Sequence, residues 1–348
     1  MKQINVIHVG VGNVGGELVK QITAQKAGIK KNFELELIYC GMFTATDGIF
    51  KSDGLADKDI KSFPSGKQYD VKKAITEIPL PFILIDTTAS DATVALHKLT
   101  LKRGGSVVMS NKKPVAGAQS DFDELMKYGE KRVLIETTVG AGLPVISTLH
   151  DLINTGDKIE QITGCFSGTL GYLFTELEDG VPFSKAVAAA KAQGFTEPDP
   201  RDDLSGVDVA RKAVILARLM GCKIELKDVE LQSLYPESMT KLSVEDFIKK
   251  LPALDKEFAK GFKSAMANEM IPRYIASVTP KKSTVGLAEV PFDSDIGALT
   301  GPDNIIIIQT KRYHDNPLII KGPGAGVPVT AGGVFSDVLK AAGALAGA

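Results

Sequence analysis

The chain has 348 residues, with 41 lysines and arginines against 42 aspartates and glutamates, so its formal net charge at pH 7 is −1. This balance argues against general binding to nucleic acid or to acidic membranes, because both require a basic surface. An apolar share of 44% is typical of a globular protein and excludes disorder for most of the chain. At about 100–200 residues per domain, the length predicts two domains.

The three cysteines, Cys40, Cys165 and Cys222, are far apart and form no CxxC pair. Neither a disulfide framework nor a structural zinc site is therefore expected. The N-terminus has no signal-peptide pattern, and we expect no apolar run of about 18–20 residues that could span a membrane. These features predict a cytoplasmic protein in a reducing compartment.

The first part of the chain alternates apolar runs with helix-forming stretches. Such alternation predicts a parallel sheet covered on both faces by helices, which is the doubly wound, Rossmann-type α/β class. The predicted strands are 2–9, 34–39, 81–86, 106–110 and 132–136. The predicted helices are 16–27, 91–103 and 120–131.

After Pro144 the pattern changes to an α+β mixture that ends in strands typical of an antiparallel sheet. The predicted strands are 158–166, 274–278, 283–290, 304–310 and 317–321, and the predicted helices are 169–178, 183–193, 205–220 and one beginning near Thr330. We expect a discontinuous dinucleotide-binding domain of residues 1–143 and 327–348. Residues 144–326 then form a catalytic and dimerisation domain.

The sequence Gly10-Val11-Gly12-Asn13-Val14-Gly15 is a GxGxxG motif between the first predicted strand and helix. In this context the motif binds a dinucleotide, because its glycines allow a tight turn and close approach of the pyrophosphate to the helix N-terminus. We predict that Gly10, Gly12, Asn13, Val14 and Gly15 bind the cofactor.

The second strand of this fold usually ends in an acidic residue that holds the ribose 2′-hydroxyl of NAD. Cys40 and Gly41 occupy that place, with neither a carboxylate nor an arginine beside them. The missing acid removes a penalty against a 2′-phosphate, so the sequence favours NADP while leaving NAD open. The following residues, 44–68, carry no motif.

Four polar side chains follow predicted strands and should lie at the carboxyl edge of the sheet, where ligands of open α/β sheets bind. They are Thr87, Thr88, Ser110 and Lys112. We predict that these side chains contact the cofactor. The alternative is that the lysine is only solvated and that the threonines end their strand without binding a ligand.

Asp208 and Lys212 share one helix face because they are four residues apart. We expect this face to be largely buried, whereas Arg218 should reach water. A buried ion pair costs desolvation and points to a role. Glu197 and Asp203 lie in a nearby acidic loop. One interpretation is that this region binds a ligand with an ammonium group, and the other is that Asp208 and Lys212 form a structural ion pair.

The segment from Glu136 to Leu143 combines a carboxylate with a glycine-bent backbone. Its oxygens could ligate a hard monovalent cation, and an ordinary turn before a helix is equally compatible. The four histidines are scattered, which gives no pattern for a transition metal.

Two segments carry a resemblance to a known family: GFTEPDPRDDL at 194–204 and GVDVARK at 206–212. They resemble the signature of homoserine dehydrogenase. Supporting matches are the GxGxxG turn, the Asn111-Lys112 pair, residues 136–144, the FSGT segment at 166–169, and the Gly-Ala-Gly and Thr330-Ala331 segments near the C-terminus.

The resemblance implies NAD(P)-dependent interconversion of L-homoserine and L-aspartate 4-semialdehyde, in threonine, methionine and isoleucine biosynthesis. It also implies a short monofunctional homodimer without a C-terminal regulatory domain. By this likeness Lys212 is the catalytic acid/base and Lys112 a second catalytic lysine. The other implied roles are substrate binding by Glu197, Asp208, Asp203, Thr169 and Gly168, sodium binding by Glu136, Val139, Ala141 and Leu143, and cofactor binding by Gly326.

Two other functions remain as alternatives. One is an NAD(P)-dependent dehydrogenase of a different amino-acid semialdehyde. The other is a nucleotide-binding redox sensor without turnover, which would not need Lys112, Glu197, Asp208 and Lys212 together.

Overall fold

The computed structural model describes residues 1–347. Their strands are β1 (Lys2–Val9), β2 (Leu35–Phe43), β3 (Gly48–Phe50), β4 (Phe82–Asp86), β5 (Ser106–Met109), β6 (Val133–Leu134), β7 (Ile159–Cys165), β8 (Glu230–Leu231), β9 (Met270–Val278), β10 (Ser283–Pro291), β11 (Asp303–Thr310) and β12 (Leu318–Pro323). Their α-helices are α1 (Asn13–Ala24), α2 (Lys26–Phe33), α3 (Asp57–Lys61), α4 (Val71–Glu77), α5 (Val94–Lys102), α6 (Lys113–Ala116), α7 (Gln119–Met126), α8 (Val145–Asn154), α9 (Gly168–Glu178), α10 (Phe183–Ala192), α11 (Arg201–Leu204), α12 (Val207–Leu219), α13 (Val244–Lys250), α14 (Asp255–Met266) and α15 (Val327–Ala346).

The chain divides into two compact units. The first unit is Met1–Gly142 together with the C-terminal segment from Gly326, and the second is Leu143–Ala325. Short 3₁₀ turns supplement the helices at Asp91–Thr93, Glu136–Thr138, Leu226–Asp228, Glu237–Met239 and Leu251–Leu254.

The sheet of the first unit has the order β3-β2-β1-β4-β5-β6. Its strands are parallel except for β3, which pairs antiparallel with β2. The Rossmann-type α/β class is confirmed, but the expectation of a wholly parallel sheet is wrong at this edge. The register pairs Val9 with Phe43 and with Asp86, and Asp86 with Met109, so the carboxyl ends of four strands are level.

Both faces of this sheet are buried because its central strands are apolar on both sides. Ile4 and Val6 of β1 pack in a cluster with Leu18 of α1 and Val334 of α15. The alternate residue Ile7 faces the opposite cluster, which includes residues of α4 and α5. This two-sided burial is the reason that the strands read as continuous apolar runs.

Helix α15 is long and apolar enough to cross a membrane, by length and composition alone. This differs from the expectation of no such run. In the structure α15 packs against α1, β4 and β5, and Ala331, Val334, Val338 and Ala341 are fully buried. It is the core helix of the first unit.

The second unit contains a sheet of order β12-β11-β7-β9-β10-β8. Neighbouring strands are antiparallel, as expected for the late strands, except that β8 runs parallel to β10. Helices α9, α12 and α14 contact β9. Strand β7 lies near the middle of this sheet and delivers the chain to Phe166.

Several predicted boundaries are wrong for local reasons. Strand β2 continues to Phe43, four residues beyond the prediction, because it also pairs with β3. Strand β6 contains only two residues, since the chain turns into the 3₁₀ segment at Glu136. Helices α13 and α14 were not predicted.

Candidate functional site

The GxGxxG turn connects β1 to α1 as the sequence predicts. The backbone N–H groups of Gly10 and Val11 both donate to the Phe43 carbonyl, at 2.8 and 3.1 Å. This pairing joins the turn to the end of β2. Helix α1 begins at Asn13, and its first turn has no acidic residue. The N-terminus of α1 therefore keeps the positive end of its dipole unopposed, as anion binding requires.

Two glycines of the turn are fixed by close contacts. Gly10 has φ of +92°, and a Cβ atom there would lie 2.6 Å from the Thr88 nitrogen. A Cβ on Gly15 would lie 2.5 Å from the Gly10 carbonyl oxygen. At Gly12, by contrast, nothing lies closer than 4.0 Å to such an atom. Open space above Gly12 is what a pyrophosphate in contact with the backbone needs, so the turn fits a dinucleotide.

Thr87 and Thr88 follow β4 and contact the same turn. The Thr87 hydroxyl donates to the Gly10 carbonyl at 2.7 Å. The Nε2 atom of buried His8 lies 2.9 Å from the same Thr87 hydroxyl. Burial lowers the pKa of His8 to about 3, against the opposing effect of Asp86. His8 is therefore neutral at physiological pH and serves as a hydrogen-bonding support.

Ser110 and Lys112 lie one strand further along. The Ser110 N–H donates to the Asp86 carbonyl at 3.0 Å, so it continues the ladder between β4 and β5. Lys112 is half-buried and precedes the short helix α6. The structure thus brings Gly10, Thr87 and Thr88 into direct contact and holds Ser110 directly after the neighbouring strand β5.

The end of β2 holds a carboxylate that the sequence reasoning missed. Asp47, between β2 and β3, is 8% exposed. Its Oδ2 atom accepts a hydrogen bond of 2.5 Å from the Gly66 backbone. One oxygen of the Asp47 carboxylate therefore binds the backbone at Gly66.

Gly326 precedes α15 with φ of +122°. Its carbonyl accepts bonds from the Thr330 N–H and hydroxyl, at 3.0 and 2.8 Å. Gln21 of α1 donates to the Pro328 carbonyl at 3.1 Å, so the first turn of α15 lies beside α1. This contact places Gly326 in the unit that carries the glycine turn.

The predicted cation turn combines backbone and charge features. Ala141 has φ of +53°, which bends the buried backbone between Val139 and Leu143. The Glu136 carboxylate lies 3.7 Å from the Lys340 ammonium, and the Leu143 carbonyl accepts the Val145 N–H at 2.9 Å. Among residues 1–347 no cluster of three or more His, Cys, Asp or Glu side chains could hold a metal. Any ion at this turn would depend on backbone carbonyl oxygens in addition to the Glu136 carboxylate.

In the second unit, Lys212 points into the interior from α12 and is 7% exposed. Its ammonium lies 2.9 Å from Oδ2 of Asp208 and donates to the Phe166 carbonyl at 2.5 Å. The i,i+4 spacing thus forms the expected ion pair. The Phe166 carbonyl, which comes from the end of β7, is a partner that the sequence could not indicate.

Asp208 is more accessible than expected, because its side chain is 43% exposed while that of Lys212 is 9% exposed. The first turn of α12, which carries Asp208, is less covered than the second. The expectation for Arg218 is wrong in the other direction. Its guanidinium is buried and donates to the Ile224 carbonyl at 3.0 and 2.8 Å, because the chain folds back over the end of α12.

The acidic loop brings further carboxylates to Asp208. The Glu197 N–H donates to Oδ2 of Asp203 at 2.9 Å, while the Glu197 residue is exposed. Burial raises the pKa of Asp203, and the charges of Glu197 and Asp208 raise it further. Glu197 and Asp208 thus lie close enough to Asp203 to affect its pKa, and Asp208 in turn contacts Lys212. This group of three carboxylates makes the region attractive to a cationic group.

The start of α9 lies against the same loop. The Thr169 hydroxyl donates to the Phe195 carbonyl at 2.6 Å. Gly168 allows close packing, since a Cβ there would lie 2.9 Å from the Pro302 carbonyl oxygen. The structure thus collects Gly168, Thr169, Glu197 and Asp203 around one loop.

Arg201 fixes this loop and was not singled out from the sequence. It pairs with Asp199 at 2.5 Å and donates to the carbonyls of Thr240 and Leu242 at 2.8 and 2.7 Å. This clamp ties the acidic loop to the segment before α13. The i,i+2 spacing of Asp199 and Arg201 within a proline-rich turn was the available signal.

Comparison with known proteins matches both units to one family. Residues 10–135 match the model described as "Homoserine dehydrogenase, NAD binding domain", and residues 144–339 match "Homoserine dehydrogenase". Homoserine dehydrogenase of Saccharomyces cerevisiae is 37% identical over 98% of this chain and 98% of its own length. A chloroplastic bifunctional aspartokinase/homoserine dehydrogenase of Arabidopsis thaliana is 41% identical.

The likeness to the plant protein covers 96% of this chain but 38% of the relative, so the chain spans about two fifths of that bifunctional protein. Among solved structures, a hyperthermophilic archaeal homoserine dehydrogenase in complex with NADPH is 25% identical. It has a TM-score of 0.75 and covers 98% of both chains. The resemblance seen in the sequence is confirmed: the chain belongs to the homoserine dehydrogenase family of NAD(P)-dependent oxidoreductases.

Proposed function

We propose that this chain catalyses the NAD(P)-dependent interconversion of L-homoserine and L-aspartate 4-semialdehyde. The observation that carries the proposal is the buried Lys212 ammonium, held by Asp208 and the Phe166 carbonyl at 2.9 and 2.5 Å. An ordinary helix-surface pair would need no third partner in the interior. The dinucleotide turn of the first unit supports the redox class.

The group of carboxylates that includes the Lys212 partner Asp208 supports an amino-acid substrate. Glu197, Asp203 and Asp208 contribute up to three negative charges against one positive charge. The α-ammonium of homoserine would be attracted to this excess, and Glu197 is exposed enough to bind it. We assign substrate binding to these three carboxylates together with Gly168 and Thr169.

Lys212 is assigned the proton transfer. When bound, the nicotinamide supplies or accepts the hydride. Aldehyde reduction creates negative charge on the substrate oxygen, which a nearby ammonium stabilises and protonates. In the oxidation direction the same amine takes the hydroxyl proton. Asp208 and Phe166 hold Lys212 in place for both steps, and Lys112 is proposed as the second catalytic lysine.

The cofactor is assigned to the first unit, at Gly10, Gly12, Asn13, Val14, Gly15, Thr87, Thr88, Ser110, Lys112 and Gly326. We propose a preference for NADP over NAD. The place of the usual acidic residue is taken by Cys40 and Gly41, so no carboxylate side chain at those two positions opposes a 2′-phosphate.

Three further assignments complete the proposal. Sodium would bind carbonyl oxygens of Glu136, Val139, Ala141 and Leu143. A homodimer would form through the sheet of the second unit, where Leu287 of β10 and Ile319 of β12 are 38% and 44% exposed. We place the enzyme in the cytoplasm, in the biosynthesis of threonine, methionine and isoleucine.

The test is formation of reduced nicotinamide by the purified chain with L-homoserine, followed by absorbance, with NADP and NAD in parallel. Each reaction is run in sodium, in potassium and in a large organic cation. Homoserine-dependent reduction, faster with NADP, is the expected result. Turnover only of another amino alcohol would indicate the different semialdehyde dehydrogenase. Cofactor binding without turnover of any amino alcohol would indicate the redox sensor.

A further inference from the structure

A buried carboxylate–histidine pair lies beneath the loops that carry Lys112 and Thr88. Asp86, the last residue of β4, and His97 of α5 are both 0% exposed, and Oδ2 of Asp86 lies 2.9 Å from Nε2 of His97. Burying two ionisable groups without solvent is costly, so such a pair is kept where it specifies a geometry.

The pair orients Asn111, which is 2% exposed. The Asn111 amide nitrogen lies 3.1 Å from Oδ2 of Asp86, 2.8 Å from the Ser90 carbonyl and 3.1 Å from the Thr88 hydroxyl. These acceptors determine which end of the amide is nitrogen. The amide oxygen then faces the other way and accepts the Lys113 N–H at 3.2 Å.

The second oxygen of Asp86 fixes a second loop. Oδ1 accepts the Thr88 N–H at 2.9 Å. Thr88 lies so close to the glycine turn that a Cβ on Gly10 would lie 2.6 Å from its nitrogen. One carboxylate therefore sets both the turn at 111–113, which contains Lys112, and the backbone at Thr88.

We propose that Asp86, supported by His97 and acting through Asn111, is a positioning residue for Lys112. The pair itself contacts no reacting atom in this scheme. Asp86 keeps Asn111 in one amide orientation, and Asn111 holds the backbone on both sides of Lys112. This inference rests on the proposed catalytic role of Lys112.

The substitution Asp86→Asn tests the chain of contacts. An asparagine at 86 can present an NH₂ group to the NH₂ group of Asn111, which forces one of the two amides to turn. If Asn111 turns, it loses its bond to the Lys113 N–H. We expect kcat for homoserine oxidation to fall about 10- to 100-fold, the effect of one lost charged hydrogen bond, while KM for NADP changes less than about threefold.

The decisive measurement is a double-mutant cycle with Lys112→Ala. If Asp86 acts through Lys112, Asp86→Asn should cost little further activity once Lys112 has been removed. A merely structural role would instead reduce kcat by the same factor in both backgrounds. Asn111→Ala, which breaks the link without altering the buried charge, should reproduce the cycle and replaces Asp86→Asn should that variant fail to fold.

A matched control is Asp157→Asn in the second unit. Asp157 is also a buried carboxylate, and it accepts bonds from the Thr310 hydroxyl and the Lys158 N–H at 2.7 and 2.8 Å. Its removal should lower Tm with kcat within about twofold, since it contacts none of the assigned site residues.

The outcomes separate the two proposals. Unchanged kcat in Lys112→Ala refutes the catalytic role of Lys112. A loss in Lys112→Ala with fully multiplicative effects of Asp86→Asn and Asn111→Ala refutes the positioning role alone. A weaker cofactor affinity at constant kcat also overturns it, because the network would then act through Thr88 on binding.

Discussion

The substitution Lys212→Met separates proton transfer from packing. Methionine keeps an unbranched apolar side chain in the interior position but removes the ammonium that lies 2.9 Å from Asp208. General acid–base groups contribute about 10²- to 10⁴-fold to rate, which corresponds to about 2.7–5.4 kcal/mol of barrier at 1.36 kcal/mol per tenfold. We therefore expect kcat to fall by at least about 100-fold.

The stability cost of the same change should be much smaller. The Asp208 side chain is already 43% exposed beside Lys212, so after removal of Lys212 it stays hydrated and no uncompensated buried charge is created. The ion pair is only partly exposed, so the contribution of about 0.3–0.5 kcal/mol found for exposed i,i+4 pairs is a lower bound for it. The bond to the Phe166 carbonyl contributes about 1 kcal/mol. A total of about 1–2 kcal/mol lowers Tm by only a few degrees.

The assay compares kcat, the NADP dissociation constant and Tm for wild type, Lys212→Met and Lys212→Arg. Arginine keeps the positive charge but does not release its proton, so it should restore little turnover. Lys73→Met is the matched control, because Lys73 and Glu77 form an exposed i,i+4 pair at 3.8 Å in α4. Retention of kcat within tenfold by a folded, cofactor-binding Lys212→Met variant would refute the role of Lys212.

Three further predictions concern the substrate, the cofactor and acid stability. Glu197→Gln should raise KM for homoserine about 10- to 100-fold by removing a charged partner of the α-ammonium. Asp202→Asn, at an exposed neighbouring position, should leave this KM unchanged. Both values are measured by steady-state kinetics, and an equal rise of KM in the two variants would contradict the assignment. Gly15→Ala should weaken NADP binding at least tenfold because its Cβ would lie 2.5 Å from the Gly10 carbonyl, while Gly16→Ala, with nothing within 4 Å, should leave titrated affinity unchanged. Burial alone would raise the pKa of Asp86, but hydrogen bonds with His97 and Thr88 outweigh it and lower the pKa to about 2. Above its ordinary pKa of 3.8, the ionised Asp86 therefore stabilises the fold by about 2 kcal/mol. This contribution disappears as the pH falls to about 2. In urea unfolding, the free energy of unfolding of Asp86→Asn should fall less steeply between about pH 4 and pH 2 than that of the wild type. Equal slopes for the two proteins would contradict the lowered pKa of Asp86.

The glycine turn could be predicted from the sequence because its determinants are local. Gly10, Gly12 and Gly15 lie within one strand–turn–helix unit, so their spacing indicates the geometry, although Gly10 also contacts Thr88 beyond a different strand. The i,i+4 relation of Asp208 and Lys212 is likewise a property of a single helix. In both cases residues a few positions apart decide the outcome, and the sequence contains that information directly.

Contacts across distant segments could not be predicted in the same way. The Phe166 carbonyl meets Lys212 only because β7 ends beside α12, 46 positions apart in sequence. Arg218 was expected in water because its helix position is polar, yet the segment at Ile224 folds back and satisfies it. The sequence also gives no sign that Asp86, His97 and Asn111 meet, because they belong to a strand end, a helix and a loop that are separate in the chain.

The different exposure of Asp208 and Lys212 bears on how one carboxylate could serve both lysine and substrate. If both side chains were fully buried, the pair would satisfy itself and could not reach a ligand. Here the ammonium is enclosed, while 43% of the Asp208 side chain remains accessible to solvent. Asp208 can thus hold Lys212 through Oδ2 and still present negative charge outward, beside Glu197 and Asp203. In the proposed function, a substrate ammonium attracted to that charge would be brought close to Lys212, so binding and proton transfer would depend on the same carboxylate.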